Sequence, residues 1–507
     1  MRIYFFPFLF AVLLISSCKL NLNNPSDPAS SDFFLTNLIR AYLLSDPCLN
    51  FQTWKKTYGT GTKKTTGSDL LILSNGDYLI SGVTQEYLVP GSSAGVAHGF
   101  EGDVGITLNT FLMRVSHTNG EILWVDYLGE AVDEVTYKPK LRKYPNGDIS
   151  VALIVTGYEQ AGGPLNAKSG MGIPSLFVGR IRENGTRVWF TYFDSNSIGN
   201  FVVSAMDTSN NLHVFIENTG GSGHASFGDG PTIINSTSGG ESDSDFIHLA
   251  VGENGPMLFQ RYFSSGGDDF IFGAEANASG LFITGGTNQS VSGTIHPYAD
   301  SQMPFVMKLN EADGTILWYS YLGTTDEGGY GDPNRFLVKD DSIYTITSGR
   351  YTYGSPAEPL VASNGTIKHY IFSKFNVSGA LLWNSFLGSA TESILEMTES
   401  EPLWLSSSQL LMRTQASSST GQYSSAPDST TGNGSGSYQL ADIFINPQSG
   451  TFNRFHYSSN LTSPAQERTE VMREVCSGKL ARLNYTKFTT APNPIPTQIS
   501  IENVSLP

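Results

Sequence analysis

FVMKLNEADGTILWYSYLG (residues 305–323) reads as two β-strands joined by a tight turn. Phe305, Met307 and Leu309 alternate with Val306 and Lys308, the two-residue period of a strand whose faces differ. Asp313-Gly314 supplies the positive φ that a tight turn between antiparallel strands requires. Trp318 then opens a second run of high β propensity that ends at Tyr321 and Gly323.

The same hairpin recurs. FLMRVSHTNGEILWVDYLG (residues 111–129) and IFSKFNVSGALLWNSFLG (residues 371–388) are the other strong copies. The turn glycines are Gly120, Gly185, Gly255, Gly314 and Gly379, with a weaker copy at Gly450. Four residues after each of the first five stands an aromatic: Trp124, Trp189, Phe259, Trp318 and Trp383. In the compressed last copy Phe452 takes that part, and Trp54 opens the series without a turn before it. A fixed period of this size signals repeated supersecondary units. A large aromatic at one place in every unit suits a slot between packed sheets.

A second element lies between the hairpins: NGDYLISG (75–82), NGDISVAL (146–153), NNLHVFI (210–216), SGLFITG (279–285), DSIYTIT (341–347), PLWLSSS (402–408) and GKLARLN (478–484). Each is a turn followed by a short β-rich run, often with another apolar run before it, as at 201–205, 335–338 and 471–475. One unit therefore holds four strands, a to d, and four-stranded sheets repeated radially make a β-propeller. The first d strand, at Trp54, has no c strand before it, and the last a and b strands have no d strand after them. Joining the ends in one shared blade resolves both, with TQISIENV (497–504) as its c strand. The expected fold is all-β, a seven-bladed propeller over residues 48–507, with six or eight blades as alternatives.

The hairpin, carried by Phe305, Val306, Lys308, Leu309, Gly314, Trp318, Tyr321 and Gly323 and their equivalents, resembles the SBBP-type β-propeller repeats of bacterial surface and secreted proteins. The resemblance spans residue 50 to the C-terminus and implies an extracytoplasmic propeller with no agreed activity. The Gly255 and Gly450 units depart from it by lacking the Trp. Asp313-Gly314-Thr315-Ile316-Leu317-Trp318 also resembles the tryptophan-docking repeat of quinoprotein dehydrogenases and of an outer-membrane assembly propeller. The adjacent cysteines often found among the quinone ligands of such enzymes have no counterpart here, so the shared piece is read as a hairpin common to propellers and no cofactor is expected.

The N-terminus sets the expected location. Arg2, an apolar run over 3–15 and Ser16-Ser17-Cys18 form a signal peptide (1–17) ending in a sequence that resembles a bacterial lipobox, with Cys18 as the lipidated residue. The run falls short of the ~20 residues a spanning helix needs. Residues 18–31 read as a polar tether and 32–47 as one short helix capped by Ser31 or Asp32 and stopped by Pro47. The expected site is the bacterial cell envelope, with the lipid holding the chain to the outer membrane. Cys48 and Cys476 remain, both flanking the shared blade. They are read as a disulfide, against two unpaired thiols. With 30 Lys and Arg against 46 Asp and Glu, a formal charge of −16 and no basic cluster, nucleic acid is excluded as a partner.

No catalytic constellation is legible. The eight His show no metal-ligand spacing, and there is no GxSxG elbow or phosphate loop. Acidic pairs after the d strands, such as Asp268-Asp269, are read as turn caps, and no metal is assigned. Long Gly/Ser/Thr/Asn-rich segments at 85–109, 160–174, 219–245, 288–304, 351–367 and 417–438 mostly join strand b to strand c and should emerge on one face. The reading is a monomeric, non-catalytic binding propeller presenting that face to a protein or glycan. The alternatives are an extracytoplasmic enzyme (a hydrolase, a lyase or quinone-dependent) at the central channel and a periplasmic assembly scaffold.

Overall fold

The structure, a computed structural model, describes residues 51–88, 106–131, 140–156, 174–194, 198–218, 245–291, 303–322, 335–349, 369–387, 401–417, 438–460, 465–488 and 497–506, with 35–37, 48, 99–100, 104, 164–167, 293–296 and 354–358. The signal peptide, Cys18, the tether and most of the expected helix lie outside the described residues.

Seven four-stranded antiparallel sheets form the ring of a seven-bladed propeller. Blade 1 holds Thr65–Ile72, Tyr78–Thr84, Leu108–Val115 and Ile122–Ala131. Blade 2 holds Lys140–Lys143, Ile149–Val155, Ser175–Ile181 and Arg187–Asp194. Blade 3 holds Ile198–Met206, Leu212–Asn218, Asp245–Val251 and Met257–Phe263, and blade 4 holds Asp269–Asn277, Gly280–Thr287, Met303–Leu309 and Ile316–Tyr321. Blade 5 holds Arg335–Lys339, Ser342–Gly349, His369–Asn376 and Leu381–Leu387. Blade 6 holds Leu403–Ser406, Gln409–Ser417, Tyr438–Ile445 and Phe452–Asn460. Blade 7 is shared: Ala465–Cys476, Lys479–Phe488 and Thr497–Ser505 come from the C-terminal region, and Trp54–Tyr58 pairs with the last of these from Trp54↔Asn503 to Tyr58↔Ile499. Cys48 and Cys476 are disulfide-bonded beside that blade, with Cα atoms 5.6 Å apart across a separation of 428 residues.

Neighbouring blades meet chiefly through their first strands, which ring the axis. The apolar core is divided into seven clusters. Blades 1 and 2 bury Leu79, Leu112, Ile149, Phe177 and Phe190, and blades 5 and 6 bury Tyr344, Phe372, Ile443 and Phe455. The core is therefore spread around the disc, and each blade is stable only with both neighbours in place.

The repeated aromatic has one job at successive interfaces. It lies across the turn glycine of the next blade. Trp54 covers Gly120, Trp124 covers Gly185, Trp189 covers Gly255, Phe259 covers Gly314, Trp318 covers Gly379 and Trp383 covers Gly450. At Gly450, with φ +78°, a methyl would stand 2.7 Å from the Trp383 ring. The turn thus excludes a side chain both by backbone conformation and by the ring above it. Four indoles also donate to a carbonyl of the same turn: Trp54 to His117 O (2.9 Å), Trp189 to Glu253 O (2.9 Å), Trp318 to Val377 O (3.0 Å) and Trp383 to Pro447 O (3.2 Å). The cross-strand neighbour often joins in: Asn503, Arg180 and Lys374 donate to the carbonyls used by Trp54, Trp189 and Trp383. Between blades 1 and 2, Arg114 reaches Glu183 O (2.9 Å) and the Trp124 indole nitrogen is left without a partner.

Blade 6 corrects two expectations. PLWLSSS contributes its innermost strand, Leu403–Ser406, and the second strand is Gln409–Ser417. Phe452 pairs with Ile445, so the register position of the indole falls to Arg454, which lies over the Phe444 ring at 5.7 Å. Phe452 packs instead against Phe372 of blade 5, 5.8 Å between ring centroids.

The indole bonds give a controlled comparison. Trp318→Phe removes a buried donor from Val377 O, whereas Trp124→Phe removes one that makes no bond. Urea unfolding should show Trp318→Phe to be the more destabilising by about 1 kcal/mol.

Candidate functional site

An antiparallel four-stranded blade sends its a–b and c–d connections to one face of the disc and its b–c and d–a connections to the other. The first face is closed by short turns, such as Asn75-Gly76-Asp77 and Asn146-Gly147-Asp148. In the first of these Asp77 accepts from His117, Arg114 (2.7 Å) and Asn75. Burial acts to raise its pKa, but these bonds hold it well below the usual carboxylate range. The strand ends that open on the second face are those joined by the long connections.

Parts of three long connections return to the rim. Leu165 N–H donates to Phe190 O (2.8 Å) and Tyr192 N–H to Asn166 O (3.1 Å). Ile295 and Tyr319 are joined in the same way (2.9 Å), as are Ala357 and Asn384 (2.8 Å). These segments extend the outer strand's pairing and so shield a sheet edge. Leu165 and Ile295 also pack on Gly255 and Gly379 of the next blade. This part of the loop surplus serves blade docking, which the sequence reading had not separated from binding.

The central channel is charged. From separate first strands and their approaches come Asp69, Lys140, Arg142, Glu275, Arg335, Glu401 and Arg473. Arg473 bonds Asp69 (3.2 Å), Glu401 (3.1 Å) and Leu70 O (3.1 Å). Arg142 stands 3.6 Å from Asp69 and donates to Ala274 O (3.3 Å), and Leu141 N–H also bonds Asp69 (3.1 Å). The two glutamates are driven apart. Burial, with Glu401 beside it, pushes Glu275 up to about 7 against the pull of Arg142. Burial would raise Glu401 too, but Arg473, Arg142, Lys140 and Arg335 hold it at about 2. Water still reaches Glu401, whose side chain is 34% exposed along the channel. The cavity enclosed by Lys140, Arg142, Glu275, Arg335, Phe336 and Glu401 is about 10 Å³, room for a single water. A second cavity of about 220 Å³ lies beside Arg142, Lys143, Met206 and Glu275.

No family model matches the chain, and no curated protein does. Among solved structures, a protein of unknown function from Dyadobacter fermentans is similar over 89% of this chain and 98% of its own, at 9% identity and a TM-score of 0.40. The parainfluenza virus 5 hemagglutinin-neuraminidase ectodomain is similar over 100% of this chain and 96% of its own, at 10% identity and a TM-score of 0.31. A β-xylosidase/α-arabinofuranosidase from a compost microbial metagenome is similar over 66% of this chain and 99% of its own, at 10% identity and a TM-score of 0.29. At these values they carry nothing about function, and the propeller rests on the sheet topology.

The sequence reading placed its site residues at the ring's seams: the Cys48–Cys476 bridge, the rings and the turn glycines. It did not find the channel cluster, whose members come from strands too short to show a pattern, such as Lys140–Lys143 (KLRK). The acidic pair Asp268-Asp269 lies among the described residues, and the Asp269 carboxylate caps a turn. Asp268 N–H bonds Asn288, and Asp269 accepts from Ser265 N–H (2.6 Å) while burial pushes it up to about 7.

Glu275 fixes a pH dependence. Its folded pKa lies above its ordinary value of 4.5, so the folded state binds more protons between pH 4.5 and 7 and stability falls as pH rises through that window. Glu275→Gln should therefore raise the melting temperature at pH 8 by ~1–2 °C. At pH 5 it should leave it nearly unchanged.

Proposed function

We propose that this chain is a lipid-anchored, non-catalytic propeller of the bacterial envelope that binds a protein or glycan through its loop-rich face. The observation that carries the reading is the contrast between channel and faces. Among the described residues the channel's charges are largely paired with one another, while the strand ends joined by the long connections lie on one side of the ring. A rigid frame with variable loops is where binding residues concentrate. Acylation at Cys18 anchors without insertion, since each buried CH₂ contributes about 0.8 kcal/mol. Among the described residues no helix is long and apolar enough to cross a membrane.

A second reading, an enzyme at the channel, is favoured by one observation: Glu275 and Glu401 have opposite shifts, the pattern of an acid and base pair. Against it stands the narrow space of about 10 Å³ that the described residues leave between them, although a cavity of about 220 Å³ adjoins Glu275.

Two measurements test the proposal together, and a third tests the alternative. Palmitate should label the wild-type chain and not Cys18→Ser, which should leave the membrane fraction. Protease added to intact cells should cut the propeller. An unlabelled wild type would refute the anchor, and a protected propeller would favour a periplasmic scaffold. Hydrolysis of a glycoside panel that is lost in Glu401→Gln would replace binding with catalysis.

A further inference from the structure

The channel widens at one end. The cavity of about 220 Å³ is lined by Arg142 and Lys143 of blade 2, Ala205 and Met206 of blade 3, and Glu275 and Ala276 of blade 4. Lys143 and Met206 are the last residues of their strands, and Ala276 is the last but one. These strand ends lead into the a–b turns. The cavity is therefore the channel's mouth on the short-turn face, opposite the strand ends joined by the long connections.

Its polar groups are one guanidinium and one carboxyl. Arg142 is fixed by two backbone carbonyls, Leu141 O (2.8 Å) and Ala274 O (3.3 Å), both reached by Nη atoms. Asp69 comes no nearer than 3.6 Å and gives its hydrogen bonds to Arg473, Leu70 N–H and Leu141 N–H. The Nε–H of Arg142 bonds nothing among the described residues, and the side chain is 23% exposed. Glu275 Oε2 accepts from Val338 N–H (3.3 Å), and Oε1 has no hydrogen bond among the described residues. Lys143 is already engaged by Glu183 (3.3 Å), Ser74 Oγ (3.1 Å) and Ile72 O (3.4 Å). Ala205, Met206 and Ala276 supply an apolar wall.

The protonation of Glu275 decides what this wall can hold. Arg142, Arg473 and Glu401 face it, with Lys140 and Arg335 beside Glu401. Burial and Glu401 keep Glu275 protonated up to about pH 7 against the two arginines. Oε2 is occupied as an acceptor, so the proton sits on Oε1. The cavity then offers a charged N–H and a carboxyl O–H, two donors for the two oxygens of a carboxylate. The space falls below the roughly 300 Å³ at which drug-sized pockets begin, so it suits a small organic ion.

We propose that the channel mouth binds a short-chain aliphatic monocarboxylate, its oxygens on Arg142 Nε and the Glu275 carboxyl and its alkyl tail on Ala205, Met206 and Ala276. Binding requires the protonated carboxyl, because ionised Glu275 would set two carboxylates against each other. The site is independent of the loop-rich face and of the anchor.

Titration of the full chain with butyrate, followed by saturation-transfer NMR, tests it, with butyramide and phosphate as controls. Butyrate should bind at pH 6 and about 10-fold more weakly at pH 8, in proportion to the protonated fraction of Glu275. Butyramide lacks the charge and phosphate the alkyl tail, and each should bind about 10-fold more weakly at pH 6. Glu275→Gln keeps a neutral donor and should bind butyrate equally at both pH values. Arg142→Gln should lose it. Should those variants not fold, Ala276→Leu decides: it fills the cavity, leaves both polar groups in place and should abolish binding. No binding at millimolar butyrate, equal affinity for butyramide or phosphate, an affinity unchanged between pH 6 and pH 8, or binding that survives Ala276→Leu would overturn the proposal.

Discussion

The ring stands on the pairing of Trp54–Tyr58 with Thr497–Ser505. A propeller blade buries apolar surface on two sides, and seven interfaces exist only if the seventh blade meets the first. Here that blade is assembled from both ends of the described propeller, so the chain's loop-closure entropy is met in one place. The Cys48–Cys476 bridge sits at the same seam. In the chain-entropy model a bridge over so long a loop contributes on the order of 5 kcal/mol. The two devices act on one seam, the strand by hydrogen bonding and the bridge by limiting how far the ends can part in the unfolded chain.

Around that seam the blades are joined by a repeated contact between an aromatic ring and a glycine turn. Its value lies in placing a large apolar surface against bare backbone while the indole N–H satisfies a turn carbonyl. The deviations are informative in the same terms. Arg114 occupies the carbonyl that Trp124 would use, Arg454 substitutes a cation for the ring in blade 6, and the Phe259 junction drops both polar partners. At the Phe259 junction, where the indole and its polar companion are both absent, a cleft lined by Phe246, Phe263, Leu309 and Ile316 lies at the interface.

Much of the fold was legible in the sequence because its signals are local. The Gly-to-Trp spacing, the two-residue alternation and the unpaired d strand at Trp54 all lie within short windows, and they lead to seven blades and a shared one. Blade 6 was misread for the same reason. Its hairpin carries the same bulge as the others, here between Phe444 and Ile445, so Phe452, two residues after Gly450, takes the register of Ile316 and the ring position four residues after the glycine holds Arg454. What could not be read depends on register between distant strands. His213 and His248 are 35 residues apart and show no ligand-like spacing, yet they meet because Phe215 pairs with His248 and His213 with Ala250. The channel charges come from strands on different blades, brought together only by the circle. Their opposed pKa shifts are a property of that enclosure and of no single segment.

Closure at the shared blade is tested most directly by hydrogen–deuterium exchange on a chain lacking residues 48–60. Loss of the Trp54–Tyr58 strand should expose the amides of Thr497–Ser505 and lower protection in blades 1 and 6, the neighbours of the broken seam. Unchanged protection across Thr497–Ser505 would mean that those residues do not depend on the N-terminal strand, and the closed ring described above would be wrong.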